Sequence, residues 1–123
     1  MSDPAADAGQ VVMAPGDDLT HIGQRLKSLE HCALHRRTIK LTCPTCQHER
    51  RFDAVALWWL YEQRGWNDHL PRAYRRLYCE ACLVKLRRVV RPVAEITRDK
   101  PDAEQPPYPE ERTWKKLVSR YRS

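Results

Sequence analysis

Two cysteine pairs of the same form, Cys43-Pro44-Thr45-Cys46 and Cys79-Glu80-Ala81-Cys82, stand 32 residues apart in a chain of 123. Two residues between ligands allow a tight turn whose thiolates face one ion, with backbone N–H groups turned toward the sulfurs. Two such turns complete the tetrahedron that zinc prefers, at about 2.3 Å per Zn–S bond. A closed shell of four sulfurs leaves no position for water, which makes the site structural rather than catalytic. Metal binding is then coupled to folding, worth about 10–16 kcal/mol in zinc-finger peptides near neutral pH. A whole domain's stability is of similar size. One iron in the same cage stays open, because ligand softness does not separate it from zinc.

The setting favours metal over disulfides. The opening stretch MSDPAADAGQ lacks the basic start and apolar run of a signal peptide. No segment approaches the roughly 20 apolar residues needed to cross a bilayer. A reducing cytoplasm is the expected compartment, and there paired cysteines read as metal ligands. A redox pair would need a βαβ context and an exposed, low-pKa thiol. Both pairs instead have hairpin-like surroundings.

A chain of this length holds one domain plus tails. Residues 1–17, rich in Ala, Asp, Gly and Pro, are expected to be a disordered tail. Residues 18–98 form the expected zinc domain. Its first part, Asp18 to about His35, carries apolar residues near helical spacing, with Asp17 or Asp18 as cap. Thr38–Thr42 alternates as a strand and runs into the first pair, and His48–Phe52 returns from it. Asp53 caps a helix in which Ala54, Leu57, Trp58 and Tyr61 form one stripe, ending at Gly65. Asn67–Pro71 is a turn and a new helix start. Val84–Ile96 leaves the second pair as a strand rich in Val and Arg. Residues 99–111 hold four prolines and five acids and read as an extended linker. Residues 112–123 form a basic amphipathic helix with Trp114, Leu117, Val118 and Tyr121 on one face.

The pattern resembles the zinc ribbon class over about residues 38–96, through its four cysteines and their strands. The resemblance implies that Cys43, Cys46, Cys79 and Cys82 are the ligands, with frequent nucleic-acid or protein partners. Two features depart from it. Ribbons often place glycine after each knuckle's second cysteine, where positive φ is wanted; Gln47 and Leu83 stand there. The aromatic helix between the knuckles is also longer than a minimal ribbon has. The expected fold is a small α+β zinc-ribbon-like domain: two knuckles, short antiparallel strands and one central helix.

The net charge of +6 is unevenly placed. Residues 36–98 hold an excess of +8 and residues 112–123 an excess of +5, while residues 1–35 and 99–111 are acidic. Acidic partners, above all nucleic acid, suit this distribution. Lys85, Arg87, Arg88 and Arg91 on the outgoing strand, with Lys115 and Lys116 on the terminal helix, are the expected phosphate contacts. Arg50, Arg51, Arg75 and Arg76 flank the knuckles and are expected to offset the thiolate charge. No catalytic constellation emerges: there is no phosphate loop, and His48-Glu49 follows its knuckle, where a nucleobase deaminase needs His-x-Glu before the cysteines. The expectation is a non-enzymatic bacterial zinc finger protein that contacts DNA or RNA. The alternative is a protein–protein adaptor docking through its C-terminal helix. His48 reads as solvated or as a partner of the ligands, Cys32 as a packed thiol rather than a ligand with His31 and His35, and Trp58 and Trp59 as core.

Overall fold

The computed structural model describes residues 19 and 24–122. The expected disordered tail 1–17 lies outside them. Within them the chain is α+β: a three-stranded antiparallel sheet with five helices. In order these are α1 (Leu29–Leu34), β1 (Thr38–Thr42), β2 (Glu49–Asp53), α2 (Ala54–Arg64), α3 (Leu70–Tyr74), α4 (Glu80–Leu86), β3 (Val93–Thr97) and α5 (Glu111–Arg122).

The sheet order is β2-β1-β3. The hairpin register pairs Ile39 with Phe52 and Leu41 with Arg50, while β3 sets Ile96 opposite Ile39. Strand alternation sends Ile39, Leu41 and Ile96 into the core. Against that face lies α2, where Asp53 Oδ1 accepts the Val55 N–H at 3.0 Å. The helix stops at Gly65, whose φ of +67° glycine adopts without a Cβ penalty. Leu57, Trp58 and Tyr61 are buried on it, as the stripe in the sequence requires. Trp58 Nε1 is buried without a hydrogen-bond acceptor among the described residues. That costs about 1–3 kcal/mol, less than the roughly 4–6 kcal/mol gained by removing a ring of 150–250 Å² from water.

Two elements differ from expectation, each for a local reason. Of the helix expected from Asp18 to His35, residues 18 and 20–23 lie outside the described residues, and from residue 24 onward the chain is helical over Leu29–Leu34, with Ser28 as its cap. Residues 27–30 instead bond to the 68–70 turn: Leu29 N–H donates to Asp68 O and Leu70 N–H to Lys27 O, both at 2.9 Å. Leu26 and Leu29 still reach the core, so the apolar spacing was real but the backbone found other partners. The strand expected over Val84–Ile96 is the helix α4, an irregular stretch, and then β3. Ala81, Leu83, Lys85 and Leu86 are good helix formers, and they prevail over the β-branched Val84.

The acidic segment after β3 has no helix or strand before α5, yet it is tied down. Asp102 Oδ2 accepts from Arg51 N–H and Arg50 Nη1, both at 3.0 Å. Gln105 Oε1 accepts the Asp53 N–H at 2.9 Å, and its Nε2 donates to Arg51 O at 2.9 Å. The segment therefore pairs the outer edge of β2 that a bare edge strand would leave open. Beyond it, α5 packs back on the core: Leu117 is 3% exposed, and the Trp114 ring meets that of Trp58 at 6.0 Å.

This packing sets two expected outcomes. Leu117→Ala should destabilise the fold by about 2–5 kcal/mol in urea denaturation, because it empties a buried site. The Arg51 N–H bond, opposed by burial and reinforced by Arg50, holds the Asp102 carboxyl below its usual range. Its contribution is therefore present above the ordinary carboxylate pKa and is lost as pH falls through the lowered folded value. Asp102→Asn should cost about 1 kcal/mol at neutral pH, after discounting for exposure. The gap from wild type should close in acid; a constant gap would contradict this role.

Candidate metal centre

The first cysteine pair sits on the turn between β1 and β2. Cys43 N–H donates to His48 O, and Gln47 N–H to Cys43 O, each at 2.9 Å. Gln47 takes φ +65°, the left-handed conformation the ribbon class usually gives to glycine, at a cost of roughly 1–2 kcal/mol. Inside this turn Cys43 Sγ accepts from the backbone N–H groups of Thr45 and Cys46 at 3.4 and 3.5 Å.

The second pair is held differently. Cys79 is the cap of α4 and Cys82 lies in its first turn, with the Cys82 N–H directed at Cys79 Sγ at 3.5 Å. Leu83 is helical, so no positive φ is needed after this pair. Hairpin-like surroundings thus hold for the first pair and not for the second. The α4 sequence carried the signal: a residue able to cap, Glu80 in the first turn, then helix formers.

All four sulfurs lie within 4.8 Å of one another. Cys43 Sγ is 3.6 Å from Cys82 Sγ, and Cys46 Sγ is 3.5 Å from Cys79 Sγ. A tetrahedron with bonds of about 2.3 Å has edges of about 3.8 Å, so the cage needs only slight expansion to hold an ion. Cys43, Cys79 and Cys82 are buried, and Cys46 is exposed. Among the described residues this is the one group of three or more metal-binding side chains. His31, Cys32 and His35 form no second site: Cys32 is buried in the apolar core, and His35 Nε2 lies 3.2 Å from Tyr121 Oη. Burial pushes the Cys32 thiol up to about 12.

The four thiols differ in how readily they ionise. The Cys46 N–H draws the Cys43 thiol down to about 6 against the effect of burial, with help from the Thr45 N–H. Burial, then the neighbouring thiols, push Cys82 up to about 12. At Cys79 the Cys82 N–H acts downward, but burial and the Cys46 and Cys43 thiols raise the net value. Without a positive ion the cluster favours a thiolate at Cys43 and thiols at Cys79 and Cys82. An ion is what lets these sulfurs ionise together.

The arginines expected to offset that charge are placed otherwise. Arg50 pairs with Asp102 at 3.0 Å and lies over the Phe52 ring. Arg51 pairs with Glu49 at 2.9 Å and Asp99 at 3.7 Å. Arg76 lies over the Trp66 ring at 4.3 Å, and Arg75 is exposed at the end of α3. The cage is instead served by backbone N–H groups.

The basic residues expected to meet phosphate fall into two groups. Lys85 is in the last turn of α4, Arg87 follows it with φ +56°, and Arg88 and Arg91 lie in the return stretch. None is on a strand. The return stretch lies against the approach to the second pair: Arg91 Nη1 donates to Leu77 O at 3.1 Å and Cys79 N–H to Val90 O at 3.0 Å. Sequence reasoning missed that this brings Arg91 beside the segment carrying Arg75 and Arg76. Lys115 and Lys116 belong elsewhere, on α5, whose Trp114 sits under Arg36 just ahead of β1. The five residues of β1, about 16 Å, separate that end from the cysteines. Lys115 also pairs with Glu111 at 3.6 Å.

Neither a family model, a curated protein nor a solved structure matches this chain. No helix among the described residues is long and apolar enough to cross a membrane.

Zinc titrated into metal-free protein at neutral pH should bind at about one equivalent and release the Cys79 and Cys82 protons to the buffer. Isothermal titration in buffers of different ionisation heat reads that release. Cys82→Ser should abolish stoichiometric binding. Chelation should remove amide protection from α4 before α2, since the two belong to separate buried clusters. Simultaneous loss would show one cooperative unit.

Proposed function

We propose that this chain is a non-enzymatic, cytoplasmic bacterial protein with one structural zinc at Cys43, Cys46, Cys79 and Cys82, and that it contacts nucleic acid as an accessory or regulatory factor. The zinc ribbon resemblance then applies to the first knuckle, with a helix start as the second ligand pair.

One observation carries the nucleic-acid reading. Arg72, Arg75, Arg76, Lys85, Arg87, Arg88 and Arg91 have no carboxylate partner among the described residues. All seven are exposed, and they precede and follow the second cysteine pair: Arg72, Arg75 and Arg76 on and just after α3, Lys85 and Arg87 at the end of α4, Arg88 and Arg91 in the return stretch. On the β2 side, by contrast, Arg50 and Arg51 are already paired by the acidic segment. The acids shield one set of cations and leave this one free. Unpaired arginines and a lysine beside a rigid cage suit phosphate contact with weak sequence preference.

A zinc-stapled protein–protein adaptor is the second reading. The exposed apolar residues Leu83, Val84, Leu86, Val89 and Val93 on and after α4 favour it, with Val84 77% exposed. The C-terminal helix is less suited to that role than its sequence suggests, because Trp114 and Leu117 already pack on the chain's own core.

Fluorescence anisotropy with labelled duplex and single-stranded probes across a salt series separates the two readings. The wild type should bind at low salt with affinity falling steeply as salt rises. Changing Lys85, Arg87 and Arg88 together to Gln should weaken binding and reduce the salt slope by about 1 for each phosphate that is no longer neutralised. Arg91 is left intact because it supports Leu77. Absence of binding at low salt would transfer the argument to the adaptor.

A further inference from the structure

A cavity of about 240 Å³ opens beside the cysteine cage, between the sheet, α2 and the segment that runs from Arg76 into α4. Leu57 and Tyr61 line its buried part, and Phe52 and Trp66 contribute aromatic rings. Tyr61 and Trp66 meet edge to face, with centroids 5.2 Å apart and planes at 87°, so their rings are fixed relative to each other. The Tyr61 hydroxyl donates to Ala73 O at 2.7 Å, which ties the ring to α3. Arg50 and Arg76 also line the cavity. Their guanidinium groups lie over Phe52 at 4.4 Å and over Trp66 at 4.3 Å. Asp102 holds Arg50, whereas Arg76 has no carboxylate partner among the described residues.

The geometry points to a binding site for one unstacked nucleobase of a single strand, with the adjoining phosphates on Arg76 and Arg91. This rests on the nucleic-acid reading above and gives it a mode of contact. The size selects a single flat group, since the cavity is smaller than the roughly 300–1,000 Å³ of drug-sized sites. Aromatic walls and guanidinium planes are the surfaces on which unstacked bases are held. Glu80 and the thiols of Cys43 and Cys79 also line the cavity, so the part that enters is a neutral ring, and the anions attached to it are left to Arg76 and Arg91. A neutral apolar side chain would fill the cavity and leave Arg76 unused, whereas a nucleotide supplies both a ring and a phosphate. A base inside a duplex cannot enter, so the cavity favours single strands, while the cations of α4 do not discriminate.

The test uses the zinc-loaded full chain, labelled oligothymidylate, and an abasic strand with the same number of phosphates. Oligothymidylate should bind at least about tenfold more tightly, with the same salt slope, because stacking and not charge differs between the probes. Leu60→Phe, which adds bulk at the cavity wall, should bring the two probes to equal affinity and leave duplex binding unchanged. Its zinc content and melting temperature report whether it folds; if it does not, the wild-type comparison decides alone. Equal affinity of wild type for both probes, with a steep salt slope, would overturn the cavity and leave nucleic-acid binding standing. Failure of every probe at low salt would remove both.

Discussion

Four sulfurs drawn to within 4.8 Å of one another are an arrangement the polypeptide has little means of holding by itself. The buried cysteines form their own small cluster, backed only by Ala81 and Val90 and separate from the apolar core around Ile39, Leu57 and Tyr61. Helix α4 has seven residues, well short of what is stable alone in water. Its apolar residues Leu83, Val84 and Leu86 face solvent rather than the core, so burial contributes little to its position. The four cysteines can hold a metal ion, which would supply the missing attraction and relieve the burden on the thiols at once. The placement of α4, the return stretch and its cations then depends on the site.

The two halves of the cage differ in how readily sequence reveals them. The C-x2-C spacing identified all four converging residues, because ligand geometry is local and only the distance between pairs is left to the fold. The β1–β2 hairpin and α2 were equally legible: alternation over Thr38–Thr42, a capping Asp53 and a terminating Gly65 all agree with one structure. The second half was not. Val84, Val89, Val90 and Val93 suggest a strand, but Cys79 acts as a helix cap, and a cap competes with strand pairing through a single hydrogen bond. Gln47 shows the reverse case, in which glycine's absence argued against a left-handed turn that the surrounding bonds impose anyway.

The segment after β3 illustrates a limit of composition. Prolines and acids describe a chain that cannot build a core, and it does not build one. They say nothing about whether an existing sheet edge will take it as a partner. Here Asp102 and Gln105 satisfy backbone groups of Arg51 and Asp53, contacts that no periodicity encodes. The consequence is electrostatic as well as structural. The acids neutralise arginines on one side of the molecule, so the charge imbalance visible in sequence becomes a polarised surface in the fold.

That polarity bears on why a metal cage and a cationic face occur together. Repulsion among Arg75, Arg76, Arg87, Arg88 and Arg91 opposes gathering them around one site, and nothing in the apolar core compensates for it locally. A metal ion such as zinc held by the four thiolates would leave about two negative charges near Arg76, which lines the same cavity as Cys43 and Cys79. A centre that fixed α4 would therefore also reduce the cost of holding positive charge near it. A neutral staple such as a disulfide would fix the chain without doing so. The cysteine pairs would then fix the positions of α4 and the return stretch, and with them the cations those segments carry.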